Sequence, residues 1–166
     1  MMTTLVTRFA FLISLALISL GNVAQADNFG GRADKYDQSF NKTAKQIGTK
    51  HRIELVKCSG TLCTYKGTGN VFVTVMSESK VDKTMTSVSA VLASDTEHLG
   101  FVMAVMTTIA TFSPDLSANE RLGVFNKIVD DSLSSTKYGQ RFVGKMKYSM
   151  KSLEYVGLWF TAEKVD

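Results

Sequence analysis

The sequence predicts an α+β fold: one domain with a mainly antiparallel sheet of about six strands, in the order α-β-β-β-β-α-α-β-β, and helices packed on one face of it. Two blocks of period-two alternation between apolar and polar residues, over 51–92 and 141–162, predict the strands. Helical spacing of apolar residues over 33–47 and 122–133, and a nearly all-round apolar run over 99–112, predict the helices. Within either block no helix-length segment separates consecutive strands, which excludes a doubly wound parallel sheet.

Tyr36, Phe40, Ala44 and Ile47 place one apolar stripe on a helix over about 33–47, with Gly48 as its stop. Ile53 and Leu55 alternate with Arg52 and Glu54 in a strand near 51–58. The segment Cys58-Ser59-Gly60-Thr61-Leu62-Cys63 turns the chain into a short strand around Thr64, Tyr65 and Lys66. Gly67-Thr68-Gly69-Asn70 is a second turn. Val71 to Met76 is dense in β-formers. After a polar connection, Met85 to Leu92 forms a fourth strand with a half-polar face of threonine and serine.

The period changes at Asp95. Thr96 is placed to cap a helix, with Glu97 in its first turn. Leu99 to Phe112 is apolar nearly all round, the pattern of a buried helix; it is too short for a membrane span. Ser113-Pro114-Asp115 ends it. Ser117-Ala118-Asn119-Glu120 matches a capping box and opens a helix whose core stripe is Leu122, Phe125, Val129 and Leu133. The C-terminal block reads as two strands. In the first, Phe142, Met146, Tyr148 and Met150 alternate with Arg141, Val143, Lys145, Lys147 and Lys151. Ser152-Leu153-Glu154 then turns the chain. In the second, Val156, Leu158, Phe160 and Ala162 alternate with Tyr155, Gly157, Trp159 and Thr161.

Residues 1–26 have the parts of a cleaved signal peptide: a single charge at Arg8, an apolar run from Phe9 to Leu20, and the small-x-small site Ala24-Gln25-Ala26. The apolar run is too short to span a bilayer, and no cysteine follows it for lipid attachment. The mature protein is then a single domain over 27–166, periplasmic or secreted after cleavage near Ala26. Of the formal net charge of +4, Arg8 is lost with the signal, leaving +3. So mild a basic balance does not support nucleic-acid binding, and the chain does not read as an integral membrane protein.

The two cysteines, Cys58 and Cys63, are expected to pair in an oxidising compartment and pin the mouth of a hairpin. Their C-x4-C spacing is not the C-x-x-C of redox enzymes or zinc sites.

Read as one strand, the C-terminal block aligns Arg141, Lys145, Lys147 and Lys151 on one face, with Tyr155 and Trp159 of the next strand beside them. This cationic, aromatic surface is the candidate site for a partner; the plainer alternative is a solvated face whose lysines protect an edge strand. Met103 with Met106, Met146 with Met150, and His98 raise copper binding, but no dense Met/His cluster accompanies them, so no metal is assigned. No cofactor is implied. For catalysis the inventory is thin: His51, His98, the run Ser94-Asp95, and Asp130-Asp131, whose side chains diverge on a helix. No catalytic residue is assigned. Asn41-Lys42-Thr43 matches an N-glycosylation pattern within a helix.

The reading is an exported, non-catalytic binding protein of the bacterial envelope, with an envelope protein or an anionic envelope component as partner. A carrier of a small apolar ligand or lipid, using helix 99–112, is the first alternative. A small hydrolase with His51 or His98 beside a carboxylate is the second.

Overall fold

The computed structural model describes residues 29, 31–92, 97–134, 136–154 and 156–165. The expected signal segment, its cleavage site and the Thr96 cap lie outside these. Among the described residues there are seven strands: β1 Ile53–Ser59, β2 Leu62–Gly67, β3 Phe72–Ser77, β4 Met85–Leu92, β5 Tyr138–Val143, β6 Met146–Leu153 and β7 Gly157–Lys164. Three α-helices accompany them among the described residues: α1 Tyr36–Gln46, preceded by a 3-10 turn over Ala33–Lys35, then α2 His98–Phe112 and α3 Ala118–Ser132.

All strand pairs are antiparallel, and the sheet order is β1-β2-β3-β4-β7-β6-β5. Two meanders, β1–β4 and β5–β7, are joined through α2 and α3, and β7 docks on β4 to make one sheet. The α+β class and the single antiparallel sheet agree with the sequence reading. The strand count does not: there are seven, because the segment read as one strand over 141–151 is a hairpin. Val143 lies directly opposite Met146, so Gly144-Lys145 is a two-residue loop. Gly144 sits at φ 55°, the positive φ that the first loop position of a type II′ turn requires.

Alternation puts one face of every central strand against the helices. Tyr65, Val73, Val75, Val88, Ala90, Phe160, Ala162, Tyr148 and Met150 are buried on that side, where α1, α2 and α3 add Phe40, Phe101, Ile109 and Ile128. Burying such a layer is the main drive for folding. Helix α2 is buried along most of its length, as its composition predicts, and Met106, Met146 and Met150 belong to the same core. Among the described residues no helix is long and apolar enough to cross a membrane.

Specific polar bonds set how the helices sit. Ser117 and Glu120 close the predicted capping box on α3: the Glu120 backbone N–H donates to the Ser117 hydroxyl, and the Ser117 N–H donates to the Glu120 carboxylate. Asn41 on α1 clamps the start of β1, accepting from Ile53 N–H at 3.0 Å and donating to Ile53 C=O at 2.9 Å. Its amide is therefore already used in holding the fold. Three buried tyrosines carry their hydroxyls into bonds: Tyr36 with Thr108 at 3.0 Å, Tyr148 with Ser113 at 2.6 Å, and Tyr65 with the backbone of the 3-10 turn. A buried hydroxyl without a partner would cost about 1–3 kcal/mol, so these bonds choose among helix positions that apolar packing alone would tolerate.

Cys58 lies directly opposite Cys63 on β1 and β2, and the two form a disulfide across the hairpin, with Cα atoms 4.0 Å apart. The loop it closes is short, which places its stabilisation near 2 kcal/mol, the low end of the usual range.

Candidate functional site: the uncovered sheet face

The three described helices pack on one face of the sheet, and among the described residues nothing covers the other. On that open face the strand registers align side chains into rows running across the strands. The middle row is Lys57, Thr64, Thr74, Ser89, Thr161, Ser149 and Gln140, one residue from each of the seven strands in spatial order. Beside it runs Glu54, Lys66, Phe72, Val91, Trp159, Lys151 and Tyr138. On the other side runs Ser59, Leu62, Met76, Ser87, Glu163, Lys147 and Phe142. Neighbouring strands are about 4.8 Å apart, so each row is roughly 29 Å long.

Four apolar side chains on this face, from β2, β3 and β7, are exposed: Leu62 at 41%, Phe72 at 48%, Met76 at 49% and Trp159 at 37%. Phe142 is exposed at its far edge. Single exposed apolar residues are ordinary; several on one uncovered sheet face are the mark of a contact surface.

The predicted basic ladder is split by the Gly144 turn. Arg141 lies opposite the buried Tyr148 and so leaves the sheet on the helix side, where its guanidinium donates to the Asp131 carboxylate of α3 at 2.9 Å. Asp131 also accepts from Lys127, and these bonds hold its carboxyl below the usual range. Lys145 is in the turn, at the rim of a cleft of about 660 Å³ that includes Phe112, Pro114, Leu116 and Met146. Lys147, Lys151 and Trp159 do share the open face. Together with Tyr138, Ser149, Leu153, Thr161 and Glu163 they line a shallow groove of about 380 Å³. Tyr155 lies outside the described residues.

Within the groove the charges are partly matched. Lys147 donates to Glu163 at 2.6 Å, a bond that raises the lysine's pKa. The Lys151 ammonium sits 5.5 Å from the centre of the Tyr138 ring, a cation–π position. Trp159 Nε1 donates to Thr161 at 3.2 Å, and Thr161 and Ser89 share a hydrogen bond at 3.1 Å, which orients the indole. Over the whole face, Lys57, Lys66, Lys147 and Lys151 face two carboxylates, Glu54 and Glu163. The surface remains cationic, with Lys57 and Lys66 as contributors that reading a single strand does not reveal.

The histidines are far apart in character. His98 is exposed at the start of α2, while His51 is 4% exposed and packs edge-on against Phe40 at 5.9 Å. His51 Nε2 has no hydrogen-bond partner among the described residues, and neither imidazole bonds a described carboxylate. Burial first, and the nearby Arg52 charge second, pull the His51 pKa down to about 4. Unfolded, the ring titrates near 6.5, so between pH 6.5 and 4 the unfolded state takes up a proton that the folded state refuses. The His51 contribution is fully present above pH 6.5 and is lost as pH falls through this window, about 3 kcal/mol in all. Urea midpoints at pH 7 and pH 4.5 should therefore differ, and the difference should shrink in His51→Gln. An unchanged slope in that variant would assign the acid loss to other groups.

Among the described residues no group of three or more His, Cys, Asp or Glu side chains is arranged to hold a metal ion. Fold and surface define the protein as an α+β chain with a one-sided helical cover and an open, mixed apolar and cationic sheet face. No family model matches the chain, and no curated protein or solved structure matches it.

Proposed function

We propose that the chain is an exported binding protein of the bacterial envelope that grips its partner with the open face of its sheet. One observation carries this: a seven-stranded sheet whose uncovered face displays Leu62, Phe72, Met76 and Trp159 beside an excess of lysines. Leaving that much apolar surface in water forgoes stabilisation that a covering layer would supply, roughly 25 cal/mol per Å². A partner that covers the face recovers it. The lysines favour an anionic partner and speed its approach. Export is supported by the form of residues 1–26 and by the Cys58–Cys63 bond, which suits an oxidising compartment.

The test is retention of material from envelope extract by immobilised protein, compared between two surface variants. Phe72→Glu with Met76→Glu alters the open face at exposed positions. Lys127→Glu alters the exposed surface of α3 on the opposite side of the molecule. The reading expects retention to be lost in the first and kept in the second. Equal retention by both would remove the open face as the contact surface. Protein recovered from the periplasm should also lack residues 1–26 by mass.

A further inference from the structure

We infer that the ligand of the open face is a linear polysaccharide bearing acidic groups, laid across the strands; this rests on the open face being the contact surface. The middle row supplies the first reason. Thr64, Thr74, Ser89, Thr161 and Ser149 stand directly opposite one another on five consecutive strands of the sheet. At about 4.8 Å between strands they form a hydroxyl ladder some 19 Å long. A hydroxyl both donates and accepts. That is the character of sugar hydroxyls, which also recur along a chain at a regular spacing. Ser89 and Thr161 bond each other, but Thr64, Thr74 and Ser149 have no side-chain hydrogen bond among the described residues.

The second reason is the row beside it. Phe72, Val91 and Trp159 continue into Lys151 and Tyr138, one pleat repeat along the strands from the hydroxyls. A pyranose ring has C–H faces and hydroxyl edges. An aromatic ring with its negative π-face attracts the C–H face, while the neighbouring ladder meets the hydroxyl edge. The groove beside Trp159 is where such a ring would stack on the indole, with Lys151, seated over the Tyr138 ring, next to it for a carboxylate or other acidic substituent.

The composition of the face argues against the other occupants. Protein–protein interfaces are poor in serine and lysine, which are prominent here. A second copy of the chain would set two faces of like net charge, each with four lysines to two carboxylates, against one another. The exposed apolar groups are separated along β2 and β3 by the hydroxyls of Thr64 and Thr74, instead of forming the continuous apolar stripe that inserts into lipid.

Binding is read by titration calorimetry and affinity electrophoresis against three acidic polysaccharides of different linkage: polygalacturonate, alginate and hyaluronate. Dextran, poly-L-glutamate and vesicles of anionic phospholipid are the comparisons. At least one acidic polysaccharide should bind, at least tenfold more tightly than poly-L-glutamate or the vesicles. Trp159→Ala should weaken it about tenfold, with Trp159→Phe recovering most of the loss, and Lys147→Gln with Lys151→Gln should flatten the salt dependence. Melting curves of each variant confirm that the fold is retained. No binding to any of the three, equal binding to poly-L-glutamate or vesicles, or no effect of Trp159→Ala overturns the polysaccharide assignment. The Phe72→Glu and Met76→Glu experiment then separates the two claims: if that variant still loses retention from envelope extract, the open face stands as a contact surface and only the ligand class has failed.

Discussion

Replacing Gly139 by alanine should destabilise the protein by about 3 kcal/mol and lower its melting temperature by roughly 10 °C. Gly139 is on β5, opposite the buried Met150, and faces the helices. A Cβ built there would lie 2.1 Å from the backbone carbonyl oxygen of Ile128 and 3.0 Å from Cβ of Asp131, both on α3. The obstacle is helix backbone, which cannot rotate away as a side chain can. Alanine would have to lift α3 off the sheet, loosening the packing of Phe125 and Ile128 and stretching the Arg141–Asp131 bond between the same two elements. Gly123→Ala is the internal control. It is exposed on the same helix with nothing within 4 Å of a new Cβ, so alanine should stabilise by about 0.5–1 kcal/mol through helix propensity alone. Paired urea melts of the two variants give opposite signs if helix proximity is the cause. A Gly139→Ala midpoint within error of the parent would show that α3 can shift at little cost.

The elements that a sequence shows well are those whose signal is local. Met85–Leu92 and the Ser117 capping box are each decided by residues within one turn or one strand, and both appear as read. Alternation alone does not reveal the hairpin in the C-terminal block, because its decisive feature is a change of parity. Gly144-Lys145 loops the chain with only two residues, so Val143 and Met146 face the same side although one position is odd and the other even. A single alternation drawn through the loop therefore puts Phe142 in the core and Arg141 beside Lys147. In the fold Phe142 is exposed on the open face and Arg141 reaches α3. The candidate surface was legible only in fragments for a related reason. Lys147, Lys151 and Trp159 share a face by alternation, but Lys57, Lys66, Phe72 and Tyr138 join them through strand order, which depends on β7 docking against β4. Nothing in the spacing of β7 states that it pairs with a strand about seventy residues earlier. That contact follows from burying two half-sheets under one set of helices.

Removing a single oxygen, in Tyr65→Phe, should cost about 3 kcal/mol, more than such a change normally does. The Tyr65 side chain rises from β2 into the junction of the 3-10 turn and α1, fully buried. Its hydroxyl donates to the Ala33 carbonyl and accepts from the Tyr36 N–H at 3.3 Å. Helix α1 has no side-chain cap from Lys35, the residue before it, so the phenol takes the place of one at the first helical N–H. Phenylalanine would keep the ring packing against Tyr36 but strand both backbone groups away from water. Burial raises the Tyr65 pKa to about 12, which keeps the hydroxyl protonated and able to donate throughout the range where the protein is handled. The comparison is Tyr148→Phe. It removes the Ser113 hydroxyl's phenol partner but strands no backbone group, so about 1 kcal/mol is expected there. Amide exchange separates a local from a global effect: Tyr65→Phe should speed exchange in α1 beyond its global loss of stability, whereas Tyr148→Phe should leave α1 protection in step with the rest of the molecule. If Tyr65→Phe lost no more than Tyr148→Phe and α1 exchanged at parental rates, the hydroxyl would be a passenger in that junction and the start of α1 would be held by packing alone.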